Sequence, residues 1–243
     1  MEGTIPSEIG KLTALTRLNL AGNNIVGTIP SQLNSFLLLR DLDLSSNFLT
    51  GTIPNLDALK RLESLDLSAN QLRGTIPPGL GSLTRTASFS GSSVLISLQY
   101  LFLSNNALTG TIPLALSNLM DLTALALNNN DLNGTIPSSL GSLESLEQLF
   151  LDNNKLSGPV PGELAFLKSL ETLTLYANAL AGATPMGLCS LSGLAVYVDC
   201  ERNSCSCCRS SEQETTMSLV QVIQVGTVVK NMGKCTSQDD YGI

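Results

Sequence analysis

The chain has no histidine, few aromatic residues (4%), few charged ones (14%) and no apolar run long enough to cross a bilayer. Each shortage removes a class of function. Without imidazole there is no Ser-His or Cys-His dyad and no H-E-x-x-H zinc helix. Neither a G-x-x-x-x-G-K-[ST] phosphate loop nor a G-x-S-x-G elbow occurs, so the sequence suggests no enzyme, no catalytic residue and no cofactor. Paired acids such as Asp41 and Asp43, or Glu63 and Asp66, fall on open strand positions rather than in a pocket that would separate their acidities. Bases are scarce too: 13 Lys and Arg against 20 Asp and Glu give a net charge of −7. That balance argues against a nucleic-acid partner, which normally needs a basic patch. The most apolar stretch, Met217 to Val229, carries two Gln and is shorter than the roughly 18 to 20 residues of a membrane helix. Its β-branched residues suit a strand, and membrane attachment would run through a segment missing from this chain.

What the chain has in abundance is repetition. A phrase such as LRDLDLSSNFLTGTIP (Leu39 to Pro54) or LTALALNNNDLNGTIP (Leu122 to Pro137) returns seven times. The Asn that ends its core falls at Asn23, Asn47, Asn70, Asn106, Asn130, Asn154 and Asn178, with spacings of 24, 23, 36, 24, 24 and 24. The short interval predicts an altered convex turn, and the long one an insertion of Ser and Gly near 85–96. Each L-x-x-L-x-L core has the period of a half-buried strand, so Leu42 and Leu44, or Leu125 and Leu127, point inward as rungs of one core. The Asn column predicts a structural ladder that satisfies turn backbone, since Asn both donates and accepts. The Gly four residues later suits a tight, positive-φ backbone. Pro of the following T-I-P opens a short helical or irregular return along the convex side.

A fixed period of this length around L-x-x-L-x-L-x-x-N is the signature of leucine-rich repeats. The L-x-G-x-I-P-x-x-L-G-x-L wording resembles the plant-type subclass found in receptor-like kinases, receptor-like proteins and cell-wall enzyme inhibitors. The resemblance covers roughly residues 3 to 198. It implies an α/β-type solenoid with a parallel β-sheet on the concave face and short helical, 3-10 and irregular segments on the convex face. The expected division is a solenoid over 1–198, a Cys-rich cap over 199–211 and a tail over 212–243, strand-like at 217–229. Because Gly3 to Pro6 enters the repeat in mid-phrase without a preceding signal peptide, the chain reads as a fragment.

All six cysteines, Cys189, Cys200, Cys205, Cys207, Cys208 and Cys235, follow the repeats. C-x4-C-x-C-C spacing without His favours a disulfide-knit cap over a metal site, and hence an oxidising, extracellular setting. GLCSLSGLAVYVDCERNSCSCC is also similar to the C-terminal caps of leucine-rich-repeat proteins from diatom-like algae. One sequon, at Asn133, is consistent with secretion and glycosylation.

Strand positions facing outward should form the recognition surface. Its N-terminal half is acidic through Asp41, Asp43, Glu63 and Asp66, with Arg17 and Arg40 nearby. Its C-terminal half presents Tyr100, Phe102, Phe150 and Tyr176 beside Gln148, with Ala124 and Ala126 between the aromatics. Exposed aromatic anchors of this kind suit a protein, peptide or glycan ligand. Phe36, Phe48, Phe89 and Phe166 fall off this face, Phe48 and Phe166 as core or convex packing. The sequence thus predicts a non-enzymatic, extracellular recognition module acting in receptor-like signalling or defence. A soluble inhibitor of a secreted hydrolase is the alternative. An ice-binding or scaffold solenoid, using the row Thr4, Thr28, Thr52, Thr75, Thr111 and Thr135, is a minor one.

Overall fold

A computed structural model describes residues 1–84 and 97–199, together with the backbone of 233–235. The insertion near 85–96 and the strand expected at 217–229 lie outside the described residues. The chain coils into a solenoid whose concave wall is one sheet of nine strands, beginning at Arg17–Asn19 and Asp41–Asp43 and running through Tyr100–Phe102, Ala124–Ala126 and Gln148–Phe150 to Ala195–Val198. Neighbours pair in parallel up to that point, and the antiparallel strand Gly233–Cys235 closes the edge. Further parallel strands, such as Asn24–Thr28 and Asp131–Gly134, build a second wall on the flank as two smaller sheets of three and five strands.

The middle residue of each three-residue parallel strand of the concave sheet is a Leu. Leu42, Leu65, Leu101, Leu125, Leu149 and Leu173 are buried in register with one another. A second row, Leu44, Leu67, Leu103, Leu127 and Leu151, lies two residues further on. The T-I-P isoleucines seal the flank, and Leu33, Leu80, Leu116, Leu140 and Leu164 of the 3-10 turns seal the convex side. Every repeat thus gives each face of one continuous core a rung, so no repeat buries its apolar surface alone.

Each 3-10 turn has a Pro at its N-cap, from Pro6 to Pro161, where a fixed φ near −65° starts the turn and the missing N–H would have had no partner inside it. The repeat one residue short replaces this 3-10 segment with plain turns, yet Leu56 and Leu59 remain buried. Asn34 of the preceding repeat stitches that turn, donating to Asp57 at 3.3 Å and accepting the Ala58 N–H at 3.0 Å. In the following repeat, close packing demands glycine: a Cβ on Gly81 would lie 2.1 Å from the Ala115 carbonyl oxygen.

The insertion leaves the stack intact. Leu98 N–H reaches the Leu83 carbonyl at 3.3 Å, and Ser64 and Asp66 pair with Tyr100 and Phe102 as if no residues intervened. The asparagine ladder crosses the same junction, with Asn106 Oδ1 accepting the Leu72 N–H at 2.9 Å and its amide donating to Leu67 O at 3.0 Å.

Two of the four off-face phenylalanines correct the sequence expectation. Phe48 and Phe166, expected to pack, are 49% and 64% exposed. Phe36 is the fully buried one, filling the site that Leu59, Leu83, Leu119 and Leu143 hold in other repeats. Phe89 lies outside the described residues.

Candidate ligand-binding face

In a parallel sheet with one buried face, residues on either side of the inward Leu project from the open face, about 4.8 Å from their equivalents on the next strand. The pairing register arranges them as two columns. One runs Arg17, Asp41, Ser64, Tyr100, Ala124, Gln148, Thr172 and Ala195; the other runs Asn19, Asp43, Asp66, Phe102, Ala126, Phe150, Thr174 and Tyr197. Tyr100, Phe102, Gln148 and Phe150 therefore stand together around one patch.

Tyr100 and Phe102 lie with ring centroids 6.2 Å apart and planes tilted by 32°. Tyr100 is exposed, and Phe102, Gln148 and Phe150 are half-buried. Between them, Ala124 and Ala126 are only 3% and 6% exposed, although they stand on the open face. A methyl group between taller neighbours at strand spacing is shielded by them, so the two alanines form the floor of a trough with aromatic walls.

At the C-terminal end, Tyr176 sits one column over, its hydroxyl donating to Asp152. Burial, then the negative charge of Asp152, push the phenol well above its ordinary range, so it remains a hydrogen-bond donor. Asp152 is itself buried and is held by the Thr174 hydroxyl and by Asn153 Nδ2 at 2.8 Å. Asp199 accepts the Ala177 N–H at 2.7 Å. Asp152, Tyr197 and Asp199 were missed in the sequence. Tyr197 continues the Phe102 column by one strand, and extending the L-x-L alternation past the seventh Asn would have found it.

The acidic half is less open than its composition suggests. Asp41 is paired with Arg17 at 2.8 Å, and Glu63 with Arg40. Asp43 accepts Asn19 Nδ2 at 2.9 Å and the Ser45 hydroxyl at 2.7 Å. Asp66 accepts the Ser68 N–H and hydroxyl at 2.9 and 2.6 Å. Its carboxyl is nevertheless raised above the ordinary value, first by burial and also by the charge of Asp43, against the lowering effect of the Ser68 hydrogen bonds.

Asn133 lies exposed on the flank wall, in a different sheet from the concave columns. The side chains of Cys189, Cys200, Cys205, Cys207, Cys208 and Cys235 lie outside the described residues. No group of His, Cys, Asp or Glu positioned to hold a metal occurs among the described residues, and no helix there is long and apolar enough to cross a membrane.

Leucine-rich-repeat family models match residues 14–36, 38–80, 97–119 and 121–180. The chain belongs to the leucine-rich-repeat family, in its plant-type form. Among solved structures it is similar to the Arabidopsis receptor kinase HAESA ectodomain in complex with an N-terminally extended IDA peptide hormone. That match has 37% identity and a TM-score of 0.71, over 79% of this chain and 31% of that one. It is also similar to the plant peptide hormone receptor RGFR1 in complex with RGF2, at 37% identity and a TM-score of 0.65, over 83% of this chain and 34% of that one. A plant ice-binding protein matches at 28% identity and a TM-score of 0.53, over 76% of this chain and 71% of that one. The chain thus spans about a third of the length of the receptor ectodomains it matches. A search of curated proteins found no match.

Proposed function

We propose that this chain is a non-catalytic recognition module of the extracellular or cell-surface kind, and that it binds a peptide or protein segment along its concave face. The observation that supports this most is the aromatic-walled trough of Tyr100, Phe102 and Phe150 over Ala124 and Ala126, at the centre of the concave columns. Exposed aromatics around a small-residue floor provide anchoring area at low entropic cost, the usual composition of a binding hot spot. The receptor ectodomains it resembles are described in complex with peptide hormones, which makes a peptide the preferred ligand over a glycan. Gln148 adds a donor and an acceptor at the trough's edge, and the Tyr176 oxygen, its proton given to Asp152, adds an acceptor. A disulfide-knit cap at the cysteines and a glycan on Asn133 would both suit that setting, and the glycan would stand clear of the trough.

The test uses a random peptide display library selected on the immobilised protein. Wild type should enrich a peptide family, whereas the double substitution Phe102→Ala and Phe150→Ala should lose that enrichment and retain cooperative unfolding. Equal enrichment by the folded double variant would remove the trough from the site.

A second reading rests on the flank. The hydroxyl-bearing row Thr4, Thr28, Thr52, Thr75, Thr111 and Thr135 is exposed along its whole length, and the ice-binding neighbour is matched over most of its own chain. Thermal hysteresis of the purified protein, lost on Thr52→Val with Thr75→Val, would favour this reading. Wild-type protein without hysteresis would exclude it.

A further inference from the structure

The ligand's chemistry can be narrowed from the charge that the fold collects on one face; this step rests on the concave-face reading above. Eight concave strands, Arg17–Asn19 to Ala195–Val198, each with the residue just before it and the two after it, carry Asp41, Asp43, Glu63, Asp66, Glu147, Asp152, Glu171 and Asp199, against Arg17 and Arg40. Both guanidinium groups are already committed, Arg17 to Asp41 and Arg40 to Glu63. No cation is paired with Asp43, Asp66, Glu147, Asp152, Glu171 or Asp199 among the described residues. Almost all of the chain's net charge of −7 therefore arises here rather than on the convex side.

These carboxylates are placed on both sides of the trough. Asp66 is the direct register neighbour of Phe102, with Asp43 one strand beyond it. On the other side, Glu147 and Glu171 stand exposed at the rim, one residue ahead of the Gln148 and Thr172 strands. The Arg40 to Glu63 pair occupies the same rim column, which shows that guanidinium and carboxylate groups on successive strands of it can touch. An aromatic patch between two sets of carboxylates suits a cation that rests on a ring face while its charge is met from the side. Burial of Asp66 strengthens that attraction, because charges in a drier setting interact more strongly.

We infer that the concave face takes a basic peptide segment, with Lys or Arg side chains seated against the Tyr100, Phe102 and Phe150 rings and matched by Asp43 and Asp66 on one side and Glu147 and Glu171 on the other. The columns run across the strands. From Asp41–Asp43 to Ala195–Val198 there are six inter-strand steps, a span of roughly 29 Å, which an extended segment of about nine residues covers at about 3.3 Å each. Electrostatic steering from this face would also speed association with such a segment.

The experiment selects random dodecapeptides on the immobilised full chain, then synthesises one enriched peptide together with its analogue carrying citrulline for Arg and norleucine for Lys. Fluorescence anisotropy gives the affinity of each for wild type and for the double variant Glu147→Gln, Glu171→Gln, whose exposed positions leave folding unaffected. Enriched peptides should be net positive. The uncharged analogue and the double variant should each bind at least about tenfold more weakly, and high salt should reduce the wild-type affinity. Enrichment of neutral or acidic peptides, or affinity indifferent to analogue, variant and salt, would overturn the basic-ligand inference and leave the recognition reading standing. A library that yields no enriched peptide on folded protein would overturn both.

Discussion

Asn130 accepts the backbone N–H of Leu108, one repeat earlier, on its Oδ1 at 3.0 Å and donates its amide to the carbonyls of Leu103 and Leu127 at 3.0 and 3.1 Å. One side chain thus satisfies three buried backbone groups in two repeats. Replacing it with Ala leaves those groups unpaired, each at about 1–3 kcal/mol before relaxation and water entry. Asn130→Ala should therefore cost about 3 kcal/mol by denaturant unfolding, while Asn128→Ala, at a half-buried position of the same strand turn, should cost little. Similar losses for the two variants would remove the ladder's special role.

The residue before each ladder Asn holds a left-handed backbone: φ is 52° at Ala69 and Ala177, 56° at Asn105 and 55° at Asn129. Alanine is a poor occupant of this region, at a cost of about 1 kcal/mol relative to Gly. Ala69→Gly should raise stability by about 0.5–1 kcal/mol, and Ala69→Val should lower it. A melting temperature that falls for the Gly variant would contradict the strain assignment.

Thr184 occupies the place that Ile29, Ile53, Ile76, Ile112 and Ile136 hold in other repeats; it is buried and its hydroxyl has no hydrogen-bond partner among the described residues. The nearly isosteric Thr184→Val removes that desolvated hydroxyl without adding volume. It should stabilise by about 1 kcal/mol, raising the midpoint by about 2–4 °C for a chain of this size. Calorimetry showing no gain would mean that the hydroxyl is satisfied in solution.

Asp66 gives a pH signature. Its folded-state pKa is raised above the ordinary 3.8, because burial and the nearby Asp43 disfavour the charged form. The folded chain therefore holds this proton more tightly than the unfolded chain, and ionisation at neutral pH weakens folding. Asp66→Asn keeps an oxygen for the Ser68 N–H and hydroxyl. It should stabilise at pH 7 by a fraction of a kcal/mol, since the group is partly solvated, and the gain should vanish as pH falls into the ordinary carboxylate range. A gain independent of pH would point to packing instead.

The phenylalanines separate core from surface. Phe36→Ala should cost about 3–5 kcal/mol by opening a cavity in a filled column, whereas Phe166→Ala, on an exposed convex turn, should change stability by no more than about 0.5 kcal/mol. Unfolding midpoints of the two single variants decide this.

Repeat number, strand phase, ladder asparagines, positive-φ glycines and the two concave columns were all legible in the sequence. Period-2 alternation and a fixed period of about 24 residues state which side chains share a face before any coordinate is known. The same alignment held the clue to Phe48 and Phe166: Phe48 stands where other repeats carry Gln71, Asp131 and Lys155, and Phe166 where they carry Ser35, Asn118 and Ser142. Reading each phenylalanine as apolar, without regard to its column, produced the error. Only the tertiary structure decided which carboxylates are already matched. The Arg17 to Asp41 pair, the Arg40 to Glu63 pair and the Thr174 hydroxyl on buried Asp152 depend on contacts between successive strands. The depth of the trough at Ala124 and Ala126 was decided there as well, because shielding depends on how far neighbouring rings rise above the sheet. Periodicity fixes direction, one residue at a time, whereas burial and charge pairing arise between residues from different repeats.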